Sequence, residues 1–149
     1  MLFRSNGEGD YSDVTKEAGL KQVGGNSYSA VFLDFNGDKK PDLFVSEWAP
    51  YELAIECLIR PEVTLSEGTP RLFRKVNGRF EEVTAEVGLN HAYGTMRAVA
   101  ADLDHDGWTD ITLENGGPEE WRLEPSVLLH NEKGKRFIEW THPLSRDYR

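Results

Sequence analysis

The chain has 149 residues, of which 38% are hydrophobic and 29% charged, and its formal net charge is −9. This length is typical of one domain, and the hydrophobic content argues against a disordered chain. The acidic balance, with no basic stripe, argues against a nucleic-acid partner. The sequence contains no apolar run of about 18 residues, so no membrane-spanning helix is predicted. The single cysteine, Cys57, excludes an intramolecular disulfide and a cysteine-type zinc site.

In chain order, the first element is a hairpin over residues 2–20. It has an apolar start, a turn rich in Asn and Gly, and then an alternating strand. The same pattern returns at 72–89 and at 128–141. Asn-Gly between two apolar runs favours a tight hairpin, because both residues tolerate positive φ. The three segments are therefore predicted to be β-hairpins.

Two further hairpins alternate with these three. Short apolar segments at 27–33 and 43–46 enclose one acidic loop, and segments at 96–101 and 111–113 enclose another. These flanks are partly β-branched, as buried strands are. The sequence therefore predicts an all-β, antiparallel fold of about ten strands.

One insertion, residues 48–70, interrupts the repeat. Residues 51–60 within it are predicted to form a short helix, because Pro50 lies near the start and Pro61 lies beyond the end. The corresponding segment of the second repeat, 115–125, is shorter.

The two acidic loops carry the strongest functional signal. Residues 102–110 read D-x-D-x-D-G-x-x-D, and residues 34–42 have oxygen-bearing side chains at the same first, third, fifth and ninth positions. Carboxylates this close repel one another, and Ca²⁺ offsets the repulsion because it prefers about six to eight oxygen ligands. The predicted ligands are Asp34, Asn36, Asp38, Asp42 and the carbonyl of Lys40 in the first loop, and Asp102, Asp104, Asp106, Asp110 and the carbonyl of Trp108 in the second.

The two loops are not equivalent. Gly107 permits a sharp turn at the sixth position, whereas Lys39 must take the same conformation in the first loop at some steric cost. Asn36 also supplies one negative charge fewer than Asp104. We therefore expect two calcium sites, of which the second binds more tightly.

Other interpretations of these loops are weaker. An EF-hand needs a Glu at the twelfth position, where Val45 and Leu113 stand. Magnesium prefers to keep its waters. An Asp-rich turn without metal stays an alternative, since Asp and Gly favour turns.

The recurring hairpin and loop blocks resemble the FG-GAP-like, or VCBS, repeat, which occurs in integrin α-subunit propellers, cartilage acidic protein and many bacterial surface proteins. The resemblance extends from residue 2 to about 141 and rests on two different blocks that recur in the same order. It implies four-stranded β-propeller blades, each with a calcium loop between its first two strands. It also implies about two and a half blades within a single domain 1–149: a half blade 2–20, a blade 27–89 with the insertion 48–70, and a blade 95–141.

The sequence contains no G-x-S-x-G, H-E-x-x-H or phosphate-binding Gly loop, so we expect a non-catalytic protein that acts by binding. Two and a half blades cannot close a ring, so the chain is an excised piece of a longer propeller, its copies assemble, or its edges are capped in another way. Among these we expect self-association through open blade edges. A protein or glycan partner would meet loops such as 48–70 and 115–125. The resemblance points to an extracellular or cell-surface location, although residues 1–7 lack the apolar core of a signal peptide. The location itself is left open.

Two other functions remain open at this point. A carbohydrate-binding module of lectin type would use Trp48 and Trp121 as stacking platforms, although core or interface packing is the more common role of a Trp. An accessory fragment of a larger extracellular hydrolase would need a convergent acid–base pair, and none is visible in the sequence.

Overall fold

The computed structural model describes residues 1–20, 26–48, 68–115 and 126–140. These residues form ten strands and contain no helix. The predicted all-β fold of about ten strands is thereby confirmed, while the predicted helix at 51–60 lies outside the described residues. The strands are β1 (Phe3–Ser5), β2 (Tyr11–Asp13), β3 (Asn26–Leu33), β4 (Asp42–Trp48), β5 (Arg71–Val76), β6 (Arg79–Glu82), β7 (Thr95–Ala101), β8 (Asp110–Asn115), β9 (Val127–Asn131) and β10 (Phe137–Glu139).

The strands form three antiparallel sheets. Strands β1 and β2 pair alone, β3 to β6 make one four-stranded sheet, and β7 to β10 make another. Neighbours in each sheet follow one another along the chain, so both larger sheets are meanders. A register shift interrupts the first strand pair of both sheets at the same place, between Ser27 and Ser29 and between Thr95 and Arg97. The sequence repeat is therefore a structural repeat.

The main core lies between the two four-stranded sheets. Alternate residues of the strands point into it, as the period of two in a strand requires. The largest of its apolar side chains are almost wholly buried, among them Leu33, Phe44, Leu72, Ile111, Leu113 and Leu129. A smaller cluster of Ala18, Leu43, Phe73 and Phe80 joins the first hairpin to the first four-stranded sheet.

The same backbone contact joins each sheet to the module before it. The amide of Phe80 donates to the carbonyl of Ala18 at 2.7 Å, and the amide of Phe137 donates to the carbonyl of Val87 at 2.8 Å. In each case the last strand of a four-stranded sheet is hydrogen-bonded to the turn that follows the last strand of the preceding sheet. The described residues include no helix long and apolar enough to cross a membrane.

Candidate metal centre

Each acidic loop joins the first two strands of a four-stranded sheet. The first loop, residues 34–42, connects β3 to β4, and the second loop, residues 102–110, connects β7 to β8. Because the two strand pairs share the same register, the two loops begin and end at equivalent places.

The first Asp of each loop holds the turn closed. Asp102 accepts hydrogen bonds from the amides of Asp106 at 3.1 Å and Gly107 at 3.0 Å. Asp34 accepts the equivalent bonds from the amides of Asp38 at 3.1 Å and Lys39 at 2.8 Å. Both loops therefore fold around their own carboxylate, as local side-chain to backbone bonds of Asp allow.

The side chains at the third and fifth positions of each loop also accept hydrogen bonds from backbone amides. The amide of the fifth residue donates to the third side chain, at 3.1 Å in the first loop and 3.2 Å in the second. The fifth carboxylate then accepts the amide of the seventh residue at 2.9 Å, from Lys40 in one loop and Trp108 in the other. This bond fixes the orientation of the seventh residue, whose carbonyl is the predicted backbone ligand.

The ninth Asp of each loop is buried and anchors the loop to its sheet. Asp110 accepts the amides of Leu103 at 3.1 Å and Asn131 at 2.9 Å. Asp42 accepts those of Phe35 at 3.3 Å and Lys75 at 2.7 Å.

The carboxyl group of Asp42 has a raised pKa. Burial raises the pKa of Asp42, the amides of Lys75 and Phe35 oppose the shift, and the charges of Asp38 and Asp34 raise the pKa further. A bound cation would favour the ionised form.

Two residues of each loop adopt left-handed backbone angles. In the second loop His105 has φ 63° and Gly107 has φ 91°; in the first, Gly37 has φ 73° and Lys39 has φ 61°. Lys39 thus takes the conformation expected of it at the sixth position, which costs roughly 1–2 kcal/mol for a residue with a Cβ. His105 carries the same cost at the fourth position of the second loop, so this cost does not distinguish the two loops.

The carboxylates of the second loop are close enough to share one ion. Oxygen atoms of Asp102, Asp104 and Asp106 all lie within 4.8 Å of one another. Two ligands on opposite sides of a Ca²⁺ ion, each about 2.4 Å away, would be separated by about the same distance. The donor set and its spacing therefore fit a calcium ion.

The first loop contains a competing cation. The ammonium group of Lys40 lies 2.9 Å from Oδ2 of Asp38. The hydrogen bond from Lys40 is the main cause of the lowered pKa of Asp38. In the second loop Trp108 takes the place of Lys40, so no ammonium group arises at that position.

The two loops contact one another, which the sequence analysis did not predict. Asn131, fully buried on β9, donates from Nδ2 to the carbonyl of Phe35 at 2.8 Å and to that of Thr109 at 3.0 Å. The indole of Trp108 also covers Gly37, where an added Cβ would lie 3.1 Å from the ring. Strand β9 thus connects both loops.

A histidine missed by the sequence analysis also borders the second loop. The Nδ1 atom of His130 lies 3.2 Å from Oδ1 of Asp110 and 3.6 Å from Oδ2 of Asp104. Its ring stacks on Trp140 with centroids 3.7 Å apart. No ligand spacing in the sequence marks His130, because β9 lies about 20 residues beyond the loop.

Of the two aromatic platforms of the lectin hypothesis, the structure describes only Trp48. The ring of Trp48 packs beside that of Tyr28, with centroids 6.4 Å apart. Trp121 and most of the loops 48–70 and 115–125 lie outside the described residues.

Comparison with known proteins supports the repeat. No curated protein shows a significant match to this chain. Residues 60–113, however, match the family model of the FG-GAP-like repeat. That segment contains β5 to β7, the whole second acidic loop and most of β8. The resemblance to this family is therefore confirmed, and the chain carries an FG-GAP-like repeat at residues 60–113.

Proposed function

We propose that this chain is a calcium-binding β-propeller-repeat protein that serves as a non-catalytic scaffold. In this proposal each four-stranded sheet is a blade, and each acidic loop holds one Ca²⁺. One observation carries it: the two loops share six matching hydrogen bonds from backbone amides to side-chain oxygens.

The shared bonding arranges the ligands before an ion arrives. Each carboxylate oxygen has more than one acceptor position, so an oxygen that accepts an amide can still coordinate a cation. The amides also hold the acidic side chains together against their mutual repulsion. An ion would then complete the set at little cost in conformational entropy, which favours binding.

Calcium fits the donor chemistry better than other common ions. The predicted ligands of the first loop are all oxygen atoms, and hard cations prefer such ligands. The side chains belong to an irregular turn, which suits the variable geometry of Ca²⁺ rather than the strict octahedron of Mg²⁺.

The ion would have a structural role. Each loop joins the ends of two strands, so cation binding would stabilise the folded state relative to the unfolded one. The scaffold would present its longer loops to a protein or glycan partner, and open blade edges would favour self-association.

Calorimetric titration tests the proposal. Chelator-stripped protein is titrated with CaCl₂, and the same titration is run with MgCl₂, for wild type, Asp34→Ala, Asp102→Ala and the double variant. Two calcium sites are expected in wild type and one in each single variant, with weaker binding in Asp102→Ala than in Asp34→Ala. Circular dichroism checks that the variants keep their strands.

Two results would contradict the proposal. One is the absence of calcium binding in folded wild type. The other is a double variant that binds calcium as wild type does, which would place the ion elsewhere.

A further inference from the structure

The imidazole of His130 is buried against the second loop, and one of its two nitrogens has no hydrogen-bond partner among the described residues. The residue is only 9% exposed. Its Nδ1 atom makes no hydrogen bond within the described part of the chain. Oδ1 of Asp110 lies 3.2 Å from this nitrogen but does not form a hydrogen bond with it. Burial of a polar atom without a hydrogen-bond partner destabilises a fold, so a ligand bound to this nitrogen would stabilise the protein.

The neighbours of His130 hold its ring in place. The indole of Trp140 stacks on it at an interplanar angle of 12°. Asp110, on the other side, is fixed by the amides of Leu103 and Asn131. The nitrogen and the carboxylate therefore face one another from two paired strands, β9 and β8.

Three donor atoms meet at this point. Asp104, Asp110 and His130 each offer one atom, and the three atoms lie within 4.8 Å of one another. Nδ1 of His130 is 3.2 Å from the oxygen of Asp110 and 3.6 Å from that of Asp104. If an ion lies about 2.0–2.2 Å from each ligand, these separations correspond to ligand–ion–ligand angles of about 100° and 120°. These values bracket the tetrahedral angle of about 109°.

The donor chemistry distinguishes this cluster from the calcium loops. One imidazole nitrogen with two carboxylate oxygens suits Zn²⁺ and similar first-row ions, whereas Ca²⁺ takes oxygen ligands. We propose that Asp104, Asp110 and His130 form a second kind of cation site, which binds a divalent ion of the zinc class.

This site shares two carboxylates with the proposed calcium site of the second loop. Zinc and calcium would therefore compete there, because two divalent ions at such close range repel one another. Zinc binding does not depend on calcium binding, since the imidazole and both carboxylates are in place without it.

Among the residues that the structure describes, the first loop has no equivalent of this site. Arg74 occupies the strand position that corresponds to His130, next to the paired residues Leu43 and Phe73. Its guanidinium lies 3.4 Å from Glu86 and carries a positive charge. Zinc binding is therefore expected only at the second loop.

The test is a zinc titration of the full chain after metal removal on a chelating resin, without calcium. His130→Phe removes the nitrogen but keeps a flat ring against Trp140. His91→Phe is the matched control, because His91 is exposed and its ring also stacks on an aromatic residue, Tyr93. His105→Asn tests the histidine within the loop itself. Calcium titration and circular dichroism are run on every variant.

We expect one zinc ion per chain in wild type, in His91→Phe and in His105→Asn. Zinc affinity should fall about tenfold or more in His130→Phe, while its calcium affinities change less than about threefold. In wild type the ¹⁵N chemical shift of Nδ1 of His130 should move on zinc addition, and calcium should displace the zinc.

Other results would overturn the proposal. The proposal fails if wild type binds no zinc, if His130→Phe still binds it, or if only His105→Asn loses it. Loss of zinc and calcium binding together in His130→Phe would show a structural role of the ring instead. The calcium arm is independent: wild type that binds zinc through His130 but binds no calcium would refute the proposed function alone.

Discussion

Replacement of Asn131 should destabilise both acidic loops at once. Its fully buried side chain donates to the carbonyls of Phe35 and Thr109 and accepts the amide of Gly134 at 2.8 Å. Each such bond contributes about 0.5–1.5 kcal/mol net. The three together give roughly 3 kcal/mol, or a fall in Tm of about 6–12 °C for a chain of this size.

Two substitutions separate hydrogen bonding from packing. Asn131→Ala removes both, whereas Asn131→Leu keeps most of the volume and removes only the three bonds. Both should melt well below wild type, and both should bind calcium more weakly at the first loop, because the peptide of Phe35 loses its anchor. The exposed Asn26, replaced by Ala, is the control and should change Tm by no more than about 2 °C.

The assays are thermal denaturation followed by circular dichroism and calcium titration of each variant. If Asn131→Leu has the same Tm as wild type, the hydrogen bonds to Phe35 and Thr109 do not stabilise the contact between the loops. A normal first-loop affinity in a destabilised Asn131→Ala would likewise refute the coupling between loops.

Three further predictions follow from single contacts. Gly134→Ala should lower Tm at least twice as much as Gly78→Ala, because both have positive φ but only the Cβ at 134 would meet the second-loop indole, at 2.8 Å; melting curves of the pair decide this. Lys40→Gln should raise calcium affinity at the first loop a few-fold in titration, since it frees an oxygen of Asp38. Burial raises the pKa of Tyr93, so above about pH 10 the unfolded state loses the Tyr93 proton before the folded state does, and stability should fall as pH rises. Tyr93→Phe should weaken this pH dependence in alkaline melts.

The strands and both loops could be predicted from local sequence. Alternating apolar residues, Asn-Gly turns and the nine-residue acidic pattern each act over a few neighbours, and the repeat made them visible twice. The left-handed conformation of Lys39 followed in the same way from its place in the pattern.

The contacts across sheets could not be predicted in that way. Asn131 and Phe35 are 96 residues apart in the chain, and only the packing of one sheet on the other brings them together. His130 reaches the second loop from a different strand. The one available signal was a difference between repeats, since His130 and Asn131 stand where Arg74 and Lys75 stand in the first sheet.

Calcium binding at the two loops should stabilise the fold. The most direct measurement is a thermal melt of chelator-stripped protein with no added metal, with millimolar calcium and with millimolar magnesium. Calcium at about 100 times its dissociation constant contributes roughly 2.7 kcal/mol per site. For a chain of this size, we therefore expect Tm to rise by about 5–11 °C per site, and much less in magnesium. Equal Tm values in all three solutions would contradict the claim.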